Sequence, residues 1–340
     1  MTKVWEKNWL TNRGPLVEEL EEKLKAHLDI PTILLTNNGT IPLQIALKIL
    51  GKNGEIITTP FSYVATTSSI VWENCTPVFV DIEPDYFTID ESKIEAAITP
   101  LTTAILATHV FGNPCNIEKI EKIAKKNNIS VIYDGAHGFG VQYKGKSLLS
   151  YGDITTCSFH ATKIFHTGEG GAIIANNKEL EHPVFYSHNF GHNGPLSFYG
   201  LGINAKISEL QAAMGLSVYP YIDFIFDERK KVVDFYNENL NFSILSKMKI
   251  RENTIWNYSY YPVLFQSEKQ LLEIQAVLNQ LQIFPRRYFY PSLNKVPYVS
   301  SIAMPVSEDI ASRIMCLPLY VGLTQEELQK VVNAINKSLL

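Results

Sequence analysis

The segment Ser158-Phe159-His160-Ala161-Thr162-Lys163 runs into Gly168-Glu169-Gly170-Gly171, and an acidic residue, Asp134, closes a β-rich run upstream. A lysine at a strand-to-loop junction, flanked by small and hydroxyl residues, suits a Schiff base with an aldehyde. That chemistry needs a nucleophilic nitrogen and room for a flat ring. Asp134 supplies the carboxylate that keeps a ring nitrogen protonated, so that the ring draws electrons from a bound substrate carbon. Taken singly, Lys163 reads first as a solvated surface lysine and Asp134 as a strand-end cap. Their combination with the segments that follow points to a cofactor site.

A cofactor phosphate needs several donors. Asn38-Gly39-Thr40-Ile41 precedes a helical stretch from Leu43, and a glycine-bearing turn that opens a helix offers free backbone N–H groups with a favourable dipole. The same kind of turn commonly serves only as a helix cap. Further on, Phe284-Pro285-Arg286-Arg287-Tyr288-Phe289-Tyr290-Pro291 sets two arginines directly before three aromatic residues, Tyr288, Phe289 and Tyr290. Guanidinium groups pair with phosphate oxygens, so the run suits a diphosphate bridge and the flat faces of a nucleotide. The alternative is a surface charge pair over a packed aromatic strand. Neighbouring strand residues point to opposite faces, so one of Arg286 and Arg287 is expected to meet the phosphates.

The elements that must position these residues follow from periodicity. Leu16, Leu20, Leu24 and Leu28 recur behind Pro15, predicting an amphipathic helix with proline in its first turn. Strands are predicted at Thr32–Thr36, Glu55–Thr59, Pro77–Ile82, Thr103–Thr108 and Ser130–Asp134, separated by helical stretches such as Ile117–Asn127. Such alternation predicts an α/β fold with a mainly parallel sheet covered on both faces. Asp153–His160 and Gly171–Asn176 are joined by a loop alone, so one of them is expected to run antiparallel. From about Asp223 the pattern changes. A charged helix at Asp227–Leu240 precedes a strand at Ile255–Phe265, a helix at Glu268–Gln280 and a last helix after Thr324, an α+β arrangement. The expected division is 1–225 for a large cofactor-binding domain with the N-terminal helix, and 226–340 for a small C-terminal domain.

Composition narrows the function classes. The 340 residues are 46% hydrophobic with a formal charge of −4 and no dense Lys/Arg cluster, which argues against a nucleic-acid partner. No apolar run reaches membrane-span length, and MTKVWEKNWLTNRGP lacks the apolar core of a signal peptide, so no membrane partner and a cytoplasmic location are expected. Cys75, Cys115, Cys157 and Cys316 form no short pair of the kind used for zinc or redox chemistry. His188 and His192 have helical metal-ligand spacing, but Gly191 lies between them and no carboxylate motif accompanies them, so no metal is expected. No Gly-x-Gly-x-x-Gly follows the early strands, which argues against hydride transfer.

At this point the chain resembles the sugar aminotransferases of the DegT/DnrJ/EryC1/StrS type, fold-type I pyridoxal phosphate enzymes that act on nucleotide-linked keto sugars. The likeness is carried by Trp9-Leu10-Thr11-Asn12-Arg13-Gly14-Pro15, Asn38-Gly39-Thr40, Phe61-Ser62-Tyr63-Val64-Ala65-Thr66, His109-Val110-Phe111-Gly112-Asn113-Pro114, Asp134-Gly135-Ala136-His137, Ser158 to Gly171, Gly202-Ile203-Asn204-Ala205-Lys206 and Leu317-Pro318-Leu319. The resemblance implies a seven-stranded, mainly parallel sheet flanked by helices, with pyridoxal 5'-phosphate as cofactor.

It makes Lys163 the lysine that bonds the cofactor aldehyde and shuttles the proton, and Asp134 the partner of the pyridine nitrogen. It places His137 at the ring hydroxyl, where relatives often have glutamine, and Tyr63 on the ring face, against the alternative of an ordinary core tyrosine. Gly39, Thr40 and Ser158 would hold the phosphate, and Asn204 would reach it from a neighbouring subunit, implying an obligate homodimer. His160 belongs to the cofactor loop and, with Arg286, Arg287 and Tyr288, is assigned to substrate. Lys206 stands where arginine is frequent. The Arg-Arg-Tyr run looks like the subgroup making 4-amino-4,6-dideoxy sugars on thymidine diphosphate. The implied activity is transfer of an amino group from L-glutamate to a nucleotide-linked 4-keto-6-deoxy sugar, serving surface-polysaccharide assembly. Amination at the 3-position and a non-turning-over, cofactor-binding regulator are the alternatives. The intact Lys163 and Asp134 favour transamination.

Overall fold

A computed structural model describes residues 2–300 and 302–338. Its central sheet has seven strands in the order Leu34–Thr36, Gly171–Ala175, Ile154–Ser158, Ser130–Asp134, Thr102–Thr108, Glu55–Thr58 and Thr76–Phe79. The five strands from Ile154–Ser158 to Thr76–Phe79 are parallel, and Gly171–Ala175 runs antiparallel to both its neighbours. The expected antiparallel member is therefore the second of the loop-joined pair.

Both faces of the sheet are dry. Adjacent residues Ile56 and Ile57, Ile105 and Leu106, and Val131 and Ile132 fall into different apolar clusters, one on each side. Because strand side chains alternate in direction, this requires helices above and below, which explains why these strands read as continuous Ile/Val/Leu runs.

The helix Pro15–Leu28 buries Leu16, Val17, Leu20, Leu24 and Leu28. Its N-cap position is Gly14, which has no side chain to satisfy the first N–H groups. Glu209, far along the chain and buried, does this instead, accepting from Leu16 and Val17 at 2.9 and 3.0 Å. Ile117–Asn127 forms as its periodicity predicts, capped by Asn116 and ended by Asn128 at φ 52°.

After a turn at Tyr219–Tyr221, the long helix Ile222–Asn239 leads into a three-stranded sheet of Ser246–Lys247, Tyr261–Leu264 and Ile314–Leu317. This sheet packs with helices Glu268–Gln280 and Gln325–Ser338 around a core drawn from residues 232–335. A further cluster joins Phe61, Phe87 and Phe111 to Leu264, Phe289, Ile314 and Cys316, so the C-terminal sheet is packed against the mouth of the large one.

The expected strand Ile255–Phe265 is corrected. Thr254–Ile255 pairs with Gln142–Tyr143, Tyr261–Leu264 joins the C-terminal sheet, and the chain between them leaves extended geometry. Tyr258 sits at φ 55°, and Asn257 and Ser259 spend their side chains on the carbonyls of His137, Phe139 and Phe111. Local polar bonding here outcompetes the ladder.

Candidate active site

Parallel strands end at one edge of the sheet, and the chemistry-bearing residues sit there. Thr108 lies opposite Asp134, Ser158 opposite Gly171, and Gly171 opposite Thr36, the residue that leads into the Asn38-Gly39 turn. Asp134 is 4% exposed. Its Oδ2 accepts from Thr66 Oγ1 at 2.7 Å and its Oδ1 from the Ala136 N–H at 3.0 Å. Thr66 is itself bonded to Ser62 at 2.7 Å, and Thr108 donates to Ser62 at 3.1 Å. With Thr108 donating to Ser62, the hydroxyl protons run in one direction, toward the carboxylate. The supply is neutral, however, and among the described residues Asp134 makes no ion pair. A buried carboxylate in this state is completed by a cation.

The loop from Phe159 to Gly170 is tied at its neck by Phe159 N–H to Gly170 O at 2.8 Å and Ala161 N–H to Gly168 O at 2.7 Å, while Phe159 and Phe165 are buried beneath it. Lys163 stands on this rigid excursion. Burial lowers its ammonium to about 8, with the charges of Asp134 and Cys157 opposing the shift. An amine so poised is both base and nucleophile near neutral pH. Its Nζ lies 3.4 Å from the hydroxyl of Tyr260, a residue with no assigned role in the sequence; burial pushes that hydroxyl up, so it stays protonated.

His137 is buried, with its ring parallel to Phe111 and Phe289. Burial, reinforced by the charge of Lys163, holds its pKa well below the usual histidine range. Its Nδ1 accepts from the Phe111 N–H at 3.1 Å, so the neutral ring carries its proton on Nε2 and is a fixed donor.

At the phosphate turn the geometry is close but not as expected. A Cβ on Gly39 would lie 2.8 Å from Ser158 Cβ, so only glycine lets the turn approach that strand. The N–H groups of Thr40 and Ile41, however, both donate to Asn38 Oδ1 at 2.9 Å. The expectation that this turn presents them free is corrected, because asparagine two residues before Thr40 caps them itself. Tyr63 is 56% exposed at the start of the helix Val64–Trp72, which excludes a core tyrosine and leaves its ring face open. Asn204 is exposed beside the turn, since Asn37 N–H donates to Ala205 O at 2.9 Å and Thr36 bridges to Lys206.

On the other side of Lys163 lies a cavity of 1060 Å³ between its loop and the C-terminal part of the chain, bordered by Tyr260, Phe284, Arg286, Tyr320 and Lys330. Arg286 is exposed, held by its backbone to Cys316, and borders this space. Arg287 is committed elsewhere: Nη2 donates to Glu268 Oε1 and Ser312 O, both at 2.7 Å, and the group lies 3.6 Å above the Tyr290 ring. Arg287 is therefore corrected to a structural brace. Tyr288 stacks edge-on with Tyr260 at 5.6 Å and so stands next to Lys163. His160 is exposed and turned back on its own loop, 2.9 Å from Thr162 Oγ1 and 3.7 Å from Glu169; it does not border the cavity. His188 bonds the Leu35 carbonyl at 2.9 Å, and His192 stacks on Phe198.

The family model for DegT/DnrJ/EryC1/StrS aminotransferases matches residues 1–336. The chain belongs to this family. The aminotransferase is 40% identical over 341 residues to dTDP-4-amino-4,6-dideoxy-D-glucose transaminase of Shigella dysenteriae, covering 98% of this chain and 93% of the relative. The transaminase of the same name from Escherichia coli is 38% identical over 348 residues, with the same coverage. Among solved structures, DesI in the presence of its TDP-sugar product superposes with a TM-score of 0.93 at 29% identity, covering 99% of this chain and 88% of that one.

Proposed function

We propose that this aminotransferase moves an amino group from L-glutamate to dTDP-4-keto-6-deoxyglucose, giving dTDP-4-amino-4,6-dideoxyglucose, with pyridoxal 5'-phosphate as cofactor. The observation that carries the proposal is the buried Asp134 carboxylate, without an ion pair among the described residues, on the same edge as a lysine lowered to about 8. A protonated ring nitrogen would be the cation that completes Asp134. When bound, the cofactor supplies an electron-withdrawing ring that makes the carbon bearing the amino group acidic.

Lys163 would be the base that takes the proton from that carbon and returns it; its 3.4 Å contact with Tyr260 holds Nζ at the cavity wall. The Nε2–H of His137 would donate to the ring oxygen, and Tyr63 would cover the ring face. Gly39, through its backbone, and the hydroxyls of Thr40 and Ser158 would hold the phosphate. Arg286 meets the diphosphate and Tyr288 borders the sugar, while His160 orders the loop. The names of the two transaminase relatives support the substrate class.

The working unit is a cytoplasmic homodimer in which Asn204 of the partner subunit adds a phosphate donor. It is supported by exposed Phe190, Leu196, Phe198, Leu201 and Ile203 on the loop before Asn204, since contiguous exposed apolar surface marks association. Residues 1–225 form the cofactor lobe and 226–340 the small lobe, supported by the separate core of residues 232–335. Incubation with L-glutamate and the keto sugar, followed by NMR of the purified product, tests the activity. Nitrogen on C4 of the sugar is the expected result, and nitrogen on C3 or an unaltered sugar overturns it.

A further inference from the structure

We infer that Lys206 is a positioning residue that sets the orientation of the Asn204 carboxamide, and thereby which of its atoms is offered to the cofactor phosphate. This rests on the proposal that Asn204 is a phosphate donor. Lys206 Nζ donates to Asn189 Oδ1 at 2.7 Å and to Asn204 Oδ1 at 2.8 Å, and lies 4.7 Å from the centre of the Phe190 ring. An ammonium has hydrogens and no acceptor, so the amide atom that faces it has to be oxygen. The Asn204 Nδ2 hydrogens then point away from Lys206, and among the described residues they have no partner. Without the ammonium the carboxamide is free to turn its oxygen outward, presenting a repulsive dipole to an anion.

The backbone fixes the rest of the unit. Asn189 and Asn204 face each other across an antiparallel bridge, Ala205 N–H donates to His188 O at 3.1 Å, and Ile203 N–H to Ser187 O at 2.8 Å. Lys206 therefore joins the two amides at the neck of the apolar loop Phe190–Ile203. On the other side, Thr36 bridges to Lys206 and Asn37 to Ala205, which registers the unit against the Gly39 turn. The family's more frequent arginine carries more donors and is able to hold the same two oxygens.

The test is a double-mutant cycle on pyridoxal phosphate affinity, read by absorbance titration of the cofactor-free full chain, with sedimentation velocity on each variant. Asn204→Ala and Lys206→Met are each expected to weaken affinity about tenfold, and the double variant also by about tenfold rather than a hundredfold, since coupled residues are non-additive. Lys206→Arg is expected to stay within about threefold of the wild type, as the donors are restored. A Lys206→Met protein with wild-type affinity, a hundredfold loss in the double variant, or a fall to monomers in Lys206→Met overturns the assignment. If Asn204→Ala alone binds the cofactor like the wild type, the phosphate role of Asn204 fails and the Lys206 assignment falls with it. The cycle reads the coupling whether the phosphate lies in the same protomer or across an interface.

Discussion

Lys163 combines two properties that rarely coincide in a lysine: an ammonium lowered to about 8 by burial and a carboxylate near enough to oppose that shift. Below pH 8 the neutral fraction falls tenfold per pH unit, and above it the amine is mostly free. The rate at which the cofactor-free protein captures pyridoxal phosphate is therefore expected to rise with pH and level off near 8; a rise continuing to 10.5, followed by stopped-flow absorbance, contradicts the lowered amine. Asp134→Asn keeps the shape of the site but removes the charge that completes a cationic ring. Turnover is expected to fall by about 10³-fold, the scale of a lost acid–base or charge partner, with the fold intact by circular dichroism. Short contiguous motifs single out Lys163, Asp134 and His137 in the sequence. Tyr260 is not singled out, since it meets Lys163 from 97 positions away and no local spacing records that contact.

At the scale of elements, the site depends on how the strand ends and helix starts are held. Glu209 substitutes for a missing cap on Pro15–Leu28 from nearly two hundred positions along the chain. Hydrogen bonds to a charged group are worth about 1.5–3 kcal/mol each, so Glu209→Ala is expected to lower unfolding free energy by about 3 kcal/mol or more, measured by urea denaturation. A change under about 0.5 kcal/mol, the size of an ordinary surface substitution, contradicts the capping role. The sheet strands and the helices Ile117–Asn127 and Glu268–Gln280 follow from periodicity because burial on one or both faces dictates it. The strand expected at Ile255–Phe265 breaks because Asn257 and Ser259 find carbonyls on another segment, a tertiary bond invisible to local pattern. Likewise, a glycine turn signals a helix start, but only the structure shows Asn38 taking the first N–H groups.

The molecule as a whole carries buried neutral histidines whose titration links folding to pH. Burial lowers His109 to about 3 and His188 to about 4, each from an ordinary value of 6.5. The unfolded chain binds protons at these rings before the folded one does, so stability is complete above 6.5 and declines as pH falls toward 4. Each tenfold difference in proton affinity is worth about 1.4 kcal/mol, so the loss amounts to several kcal/mol. His188→Gln, retaining a donor to Leu35, is expected to flatten this decline in urea titrations between pH 7 and 4.5; an unchanged slope contradicts the assignment. Lys163 borders the cavity beside the C-terminal sheet, with Asp134 on the adjoining edge of the large sheet, and the proposed function has this lysine form the covalent link to the cofactor and shuttle the proton. The most direct measurement is the visible spectrum of the full chain with pyridoxal phosphate, before and after L-glutamate, for the wild type and Lys163→Ala. A wild-type band that bleaches with glutamate and returns on adding dTDP-4-keto-6-deoxyglucose, with no such band in Lys163→Ala, is the predicted result. An identical spectrum in the two proteins contradicts it.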